Sequence, residues 1–324
     1  MARHLVTGAA GFIGARVAEL LLADGHEVLG VDDLNDAYDV RLKEYRLARL
    51  REQRRFRFER LDVAQPGALE RAAGDADFDA LVNLAARAGV RASVAHPELY
   101  VATNVAGTLA TLELCRRRGI PKYVLASTSS LYGADNPRPF REDADTSRPL
   151  SPYAATKAGA EALAHGYHAL HGLDVSVLRY FTVYGPAGRP DMSVFRFVQA
   201  IREGRPLRLY GDGRQSRDFT FVDDIARGTI AALRPLGFEV INLGGDEPHE
   251  VNELIRLLEE HLGANAETRH EPRHPADVPA TWADVTKAAT LLGWHPSVPF
   301  AEGLARTAAW YDAERTWART VAVE

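Results

Sequence analysis

The sequence has a single cysteine, Cys115. One thiol cannot close an internal disulfide, and it excludes multi-cysteine zinc and iron–sulfur sites, so a reducing compartment, the cytoplasm, is expected. Long apolar runs are absent as well, since none approaches the roughly 18 residues of a membrane span. Neither sign of charge dominates: 39 Lys and Arg stand against 44 Asp and Glu, a net charge of -5. That balance offers no global attraction to nucleic acid or to an anionic lipid surface. Internal repeats and low-complexity tracts are missing, and Met1 leads straight into a strand-like segment, so no signal peptide is expected. What is there is ordinary globular material: 324 residues, 46% hydrophobic and 26% charged. At ~150 residues per domain this is about two domains, with a core that needs no staples and a small molecule as the expected partner.

Short β-branched apolar runs, His4–Val6, Val28–Val31, Phe56–Leu61, Ala80–Leu84, Tyr123–Ser127, Val175–Arg179 and Glu239–Leu243, are separated by helical stretches. Such alternation predicts an α/β fold with a parallel sheet of about seven strands. From Gly185 the texture changes to short segments punctuated by Pro and Gly. The expected organisation is a larger sheet domain over residues 1–181, rejoined by about 216–247, and a smaller α/β domain from 182–215 and 248–324.

The first strand runs directly into Thr7-Gly8-Ala9-Ala10-Gly11-Phe12-Ile13-Gly14, which opens a helix expected to reach about Ala23. A glycine-rich turn between strand and helix lets backbone amides approach a pyrophosphate, and the helix N-terminus adds partial positive charge. Asp32 ends the second strand, where a carboxylate can accept hydrogen bonds from an adenine ribose. Asp32 and Asp33 would repel a 2′-phosphate, and no Arg follows the strand closely, so NAD is expected rather than NADP. Asp33 itself reads as a solvated neighbour, while Asp62 and Val63, after the third strand, can meet the adenine.

Tyr153-Ala-Ala-Thr-Lys157 places a phenol and an ammonium one turn apart on a helix starting near Ser151-Pro152. A free tyrosine is a poor base at neutral pH, but a fixed cation beside it favours the phenolate. Lysine is rare in this chain: Lys43, Lys122, Lys157 and Lys287 are the only four, and one of them stands at this spot. Upstream, Ser127-Thr128-Ser129-Ser130 closes a strand, and the Thr128 hydroxyl can hold the oxygen whose proton Tyr153 takes.

The combination of Thr7–Gly14, Asp32, Thr128, Tyr153 and Lys157 resembles the extended short-chain dehydrogenase/reductase family of nucleotide-sugar enzymes over nearly the whole chain. Within it, Asp32–Asp36 with Leu42-Lys43, Ala85–Arg91, and Phe181–Pro186 with Gly188–Met192 are similar to the UDP-glucuronate 4-epimerase subgroup. The resemblance implies a Rossmann-type doubly wound sheet and an NAD-dependent epimerisation at carbon 4 of a UDP-sugar through a transient ketone. Tyr153 would remove the 4-hydroxyl proton, Lys157 would also hold the nicotinamide ribose, and Thr128 would bind the reacting oxygen. Cofactor contacts are implied for Gly8, Gly11, Phe12, Ile13, Gly14, Asp32, Asp62, Val63, Leu84, Ala85, Ala86, Asn104, Ser127, Tyr153 and Lys157. A homodimer is implied as well.

Similar dehydratases carry an Asp-Glu pair after the strand, and similar decarboxylases a Glu where this chain has Ser130. With both carboxylates missing, Ser129 and Ser130 can donate to a sugar carboxylate and keep the keto acid from aligning for decarboxylation. Arg91, Thr128, Ser129, Ser130 and Thr182 are accordingly read as substrate contacts, with Arg189 as a charge partner. Arg217 resembles the family arginine on the diphosphate, Phe195 and Pro206–Tyr210 would frame the uracil, and Asp277 the uridine ribose. The stretch His274-Pro275-Ala276-Asp277 departs from the subgroup's usual residues. Two other readings stay open: a UDP-glucose/UDP-galactose 4-epimerase, and a non-catalytic NAD-sensing protein. No metal is expected. The His165, His168 and His171 stripe with Glu161 reads as a packed helix face, and the Arg49–Arg60 stretch as a strand with its polar residues outward rather than a nucleic-acid surface.

Overall fold

The computed structural model describes residues 1–272 and 278–323. Its strands, in chain order, are β1 (Arg3–Thr7), β2 (Glu27–Asp32), β3 (Phe56–Arg60), β4 (Ala80–Asn83), β5 (Lys122–Thr128), β6 (Asp174–Tyr180), β7 (Thr182–Tyr184), β8 (Leu207–Tyr210), β9 (Ser216–Phe221), β10 (Phe238–Leu243), β11 (Pro248–Glu250) and β12 (Thr268–Glu271). Seven of them form one sheet in the order β10-β6-β5-β4-β1-β2-β3, and every neighbouring pair is parallel. These are the seven apolar runs read from the sequence. All seven residues of β5 are buried, because helices cover both faces and strands of that kind carry continuous rather than alternating hydrophobicity. One core, built on Val6, Val82, Val124 and Leu178, fills one face, and a second, built on Leu5, Leu81, Leu125 and Val177, fills the other. Each fully buried Leu or Val there contributes roughly 2 kcal/mol. At the rim, β3 is half exposed and stacks Phe56 on Phe58 with Arg51 over the latter.

The strand order reverses beside β1, whose neighbours β2 and β4 lead away in opposite directions, and such a reversal leaves a crevice at the strands' carboxyl ends. All the glycine-turn and catalytic candidates sit at those ends.

The segment 217–243 does not return to this sheet as a whole. Only β10 does; β9 pairs parallel with β7 and antiparallel with β11 in a separate three-stranded sheet. The reason is the partner core. Phe219 and Phe221 of β9 pack with Tyr184 and Phe300 in a third hydrophobic cluster, and the preceding Asp218 accepts backbone N–H groups from Gly245 and Ala283. A further small sheet joins β8 and β12; β12 is exposed over most of its length and so carries no apolar signal.

The histidine stripe packs the helix Pro152–His171 onto its surroundings: the His165 ring meets the Phe238 edge, His168 Nδ1 lies 2.8 Å from the Leu173 carbonyl, and His171 meets Tyr167. No described helix is long and apolar enough to cross a membrane.

Candidate active site

The loops after β1, β2, β3, β4 and β5 surround a cavity of about 360 Å³. Its floor is the glycine turn. Gly8 adopts φ of 68°, and a side chain there would meet the backbone of Leu84 and Ala85 at 2.8 Å. At Gly14 a β-carbon would fall 2.1 Å from the Gly8 carbonyl oxygen. Only glycine lets the helix Phe12–Ala23 start this close to β1, and it leaves a cradle that a β-carbon would fill, at a helix N-terminus suited to a pyrophosphate.

Asp32, 6% exposed, ends β2 with Oδ2 accepting the Ala10 N–H at 3.2 Å and Oδ1 accepting the Leu34 N–H at 2.8 Å. The buried Lys43 ammonium lies 3.4 Å from Oδ1. In the sequence Lys43 stands out by its rarity, but nothing local says that a helix eleven residues on folds back over the carboxylate. Arg46, one turn further along, donates to the carbonyls of Ala10 and Ala187 and so ties the glycine turn to the segment that carries Arg189. Asp62 is exposed and folds on its own loop, accepting the Ala64 N–H at 2.9 Å, and with Val63 lines the cavity's rim.

At the other end stands the helix Pro152–His171. Ser151 caps it, accepting the Ala154 N–H at 3.2 Å, and Pro152 occupies its first turn, a start suited to proline. Tyr153 and Lys157, one turn apart, both line the cavity. Lys157 is 3% exposed and its Nζ donates to the Ala126 carbonyl at 2.7 Å. Burial pushes its pKa down to about 8, with the Glu161 charge pulling the other way. Burial also pushes the Tyr153 phenol up from its ordinary value, against the Thr128 hydroxyl and the Arg189 guanidinium, which draw it down. The guanidinium that draws on the phenol across the cavity is that of Arg189, which comes from outside the Tyr153–Lys157 helix. Tyr100, unforeseen from the sequence, presents its ring edge-on to Tyr153 at 6.1 Å and hydrogen-bonds the Ala88 and Gly89 carbonyls.

Thr128 accepts the Ser130 N–H at 3.2 Å and its hydroxyl also meets Ser130 Oγ at 3.2 Å. With Ser127, Ser129, Ser130 and Thr182 it forms a hydroxyl-lined wall. Arg189 completes that end, held by Asp191 through Nε at 3.0 Å and by the Ala88 carbonyl through Nη2 at 3.2 Å. Leu84, Ala85 and Ala86 line the middle. Among the described residues, the acidic groups lining the cavity are Asp32, Asp33 and Asp62, all at the glycine-turn end, whereas Lys157 and Arg189 stand at the hydroxyl end.

Four predicted residues are elsewhere. Asn104 is fully buried behind the wall, clasping the Arg87 backbone through both amide atoms at 2.8 and 3.0 Å and meeting Thr156 at 3.0 Å; it braces the β4 loop against the catalytic helix, and its neighbour Thr103 reaches the cavity instead. Phe195 is packed against Trp310 and Tyr311, because its helix Ser193–Arg202 turns that side toward a core shared with Leu42 and Ala187. Arg91 stacks on the Tyr210 ring at 3.9 Å. Arg217, on β9, donates to the Ser216 carbonyl at 2.8 Å. Neither arginine lines the cavity. Asp277 lies outside the described residues.

Residues 4–244 match the family described as the NAD dependent epimerase/dehydratase family. The chain is 55% identical to the UDP-glucuronate 4-epimerase of Thermodesulfobacterium geofontis, over 96% of both proteins. Its structure is similar to the UDP-glucuronic acid 4-epimerase of Bacillus cereus in complex with UDP-glucuronic acid and NAD, with a TM-score of 0.91, 38% identity, and 96% and 99% of the two chains covered. It is also similar to the UDP-glucose 4-epimerase of Thermotoga maritima with UDP-glucose, at a TM-score of 0.89, 31% identity, and 97% and 99% covered.

Proposed function

The chain belongs to the NAD-dependent epimerase/dehydratase family, and from that premise we propose that it is an NAD-dependent UDP-sugar 4-epimerase that interconverts UDP-glucuronate and UDP-galacturonate. The observation that carries this is the polarity of one continuous cavity. Among the described residues its carboxylates stand at the glycine-turn end, where Lys43 pairs with Asp32, and hydroxyls with Lys157 and Arg189 stand at the other. The cradle at Gly8 and Gly14 and the Asp32 carboxylate fit NAD, which when bound takes a hydride from carbon 4 of the sugar and returns it. Tyr153 takes the 4-hydroxyl proton and gives it back, and Thr128 holds the oxygen through both halves of the cycle. Lys157 supplies a fixed positive charge beneath them. Ser129, Ser130 and Arg189 suit a sugar carboxylate, and the hydroxyls fix its plane so that the keto acid does not align to lose carbon dioxide.

Supplying the purified protein with UDP-glucuronate and with UDP-glucose, and resolving the products, tests the reading. UDP-galacturonate is expected with no decarboxylated product, and at a kcat/KM about 10- to 100-fold above that for UDP-glucose, the worth of a charge-assisted hydrogen bond. Equal or faster turnover of UDP-glucose points to the neutral-sugar epimerase. NAD retention without turnover of either sugar points to a sensor.

A homodimer belongs to the same proposal. Val94, Leu99, Val101 and Leu109 are all more than 40% exposed on consecutive helical segments between Val90 and Arg118, and exposed apolar side chains in such number suit burial against a second copy. Sedimentation velocity should give twice the monomer mass, and Leu109→Glu should shift it toward the monomer; a wild-type monomer at micromolar concentration contradicts the assignment.

A further inference from the structure

Beneath the hydroxyl wall lies an ion pair for which the cycle above has no use. Arg179 of β6, 4% exposed, meets Glu161 through two parallel contacts, Nε to Oε1 at 3.0 Å and Nη2 to Oε2 at 2.8 Å. Removing two charges from water is expensive, and a buried pair is often replaceable by apolar residues without loss of stability, so its worth is to be sought in what it touches. Glu161 sits one turn beyond Lys157 on the catalytic helix and accepts the Ser127 hydroxyl. Ser127 directly follows Ala126, whose carbonyl takes the Lys157 ammonium, and Arg179 is its partner in the β5–β6 register. The third nitrogen, Nη1, reaches the Tyr132 hydroxyl and the Glu142 carbonyl, both at 3.1 Å, and Tyr132 ends the short helical turn that begins at Ser129.

We propose that Glu161, oriented by Arg179, is a positioning residue that supplies the counter-charge for Lys157 and clamps the wall from Ser127 to Ser130. On its own helix Lys157 stands one turn from Tyr153 and one turn from Glu161, Arg179 meets Glu161 from β6, and Tyr153, Tyr180 and Arg189 line the same cavity as Lys157. Among these Glu161 carries the negative charge. Burial opposes the Arg179 charge, yet Glu161 and Tyr132 hold its pKa above the ordinary value, so the guanidinium keeps its charge across the working range. Lys157 is charged below its pKa and loses that charge as pH rises through it; a carboxylate nearby moves the loss to higher pH.

The inference rests on the epimerase reading for its consequence in turnover, and its test separates the two. With four lysines in the chain, the Lys157 side chain can be followed by NMR in protein labelled at lysine Cε, assigned with Lys157→Met, and this readout needs no activity. Glu161→Gln keeps an acceptor for Ser127 and removes the charge. The Lys157 midpoint should fall by about one pH unit, and the alkaline limb of kcat should move down with it while KM changes less than about threefold. Glu161→Asp should hold both near the wild-type values. A folded Glu161→Gln protein with an unmoved Lys157 midpoint overturns the proposal even if the enzyme turns over, whereas a moved midpoint without turnover in the wild type sinks only the epimerase reading. Should Glu161→Gln fail to fold, Arg179→Gln takes its place: with the guanidinium gone the Glu161 charge is no longer shared, the Lys157 midpoint should rise, and an unmoved midpoint there counts against the proposal equally.

Discussion

Tyr153→Phe is expected to lower turnover of UDP-glucuronate by at least about 100-fold, the usual worth of a positioned proton-transfer group, while the protein stays folded and binds UDP-sugar within about threefold of wild type. The aromatic ring is what packs: it stands edge-on to Tyr100 and contributes the helix's first cavity-facing position. The hydroxyl is what reacts. Among the groups lining the hydroxyl end of the cavity, Thr128, Ser129, Ser130 and Thr182 are too weakly acidic to work as bases near neutrality, Arg189 has no proton-accepting form there, and Lys157 is committed to the Ala126 carbonyl. No substitute stands ready when the phenol oxygen is removed. Single-turnover measurement with both epimers checks the result, since loss must appear in both directions if one group serves both proton steps. A variant that keeps more than about a tenth of wild-type kcat in either direction means that the proton leaves by another route.

Gly14→Ala should be nearly as damaging, through binding rather than chemistry. The added β-carbon would sit 2.1 Å from the Gly8 carbonyl oxygen and 2.8 Å from its carbon. Both are backbone atoms of the turn, held in turn by the Gly11 N–H on that same oxygen at 2.9 Å. Relief therefore requires the start of the helix Phe12–Ala23 to back away from β1, at about 1–3 kcal/mol of stability. The same displacement spoils the cradle. If binding must absorb a comparable cost, NAD affinity falls by about 10- to 100-fold, read by fluorescence titration of the nucleotide beside thermal unfolding. Wild-type affinity in a folded Gly14→Ala protein would show that the turn packs the helix and has no part in holding the dinucleotide.

The two variants also mark what kind of feature is legible in a chain of residues. The glycine turn, the acid at the end of β2 and the Tyr153–Lys157 step are each local. A strand, a turn and a helix in succession, or two residues one helical turn apart, keep their geometry wherever the segment packs. Segments whose partners lie far away were read less well. Residues 216–221, Ser-Arg-Asp-Phe-Thr-Phe, carry only two apolar side chains, and the core containing Phe300 decides that they join β7 and β11. Asn104 and Phe195 lie on helices whose rotation about their axes is set by neighbours, which hold both side chains in packed surroundings.

The sequence by itself determined the seven-stranded parallel sheet, the dinucleotide turn and the phenol–ammonium pair, because periodicity and short spacings encode them directly. Only the tertiary structure decided the electrostatics: that Lys43 closes over Asp32, that Glu161 and Arg179 meet below Ser127, and that burial lifts the Tyr153 pKa while Arg189, thirty-six residues away in the chain, draws on it. Charge interactions and desolvation depend on distance and on what covers a group, and both are supplied by segments that no local pattern connects.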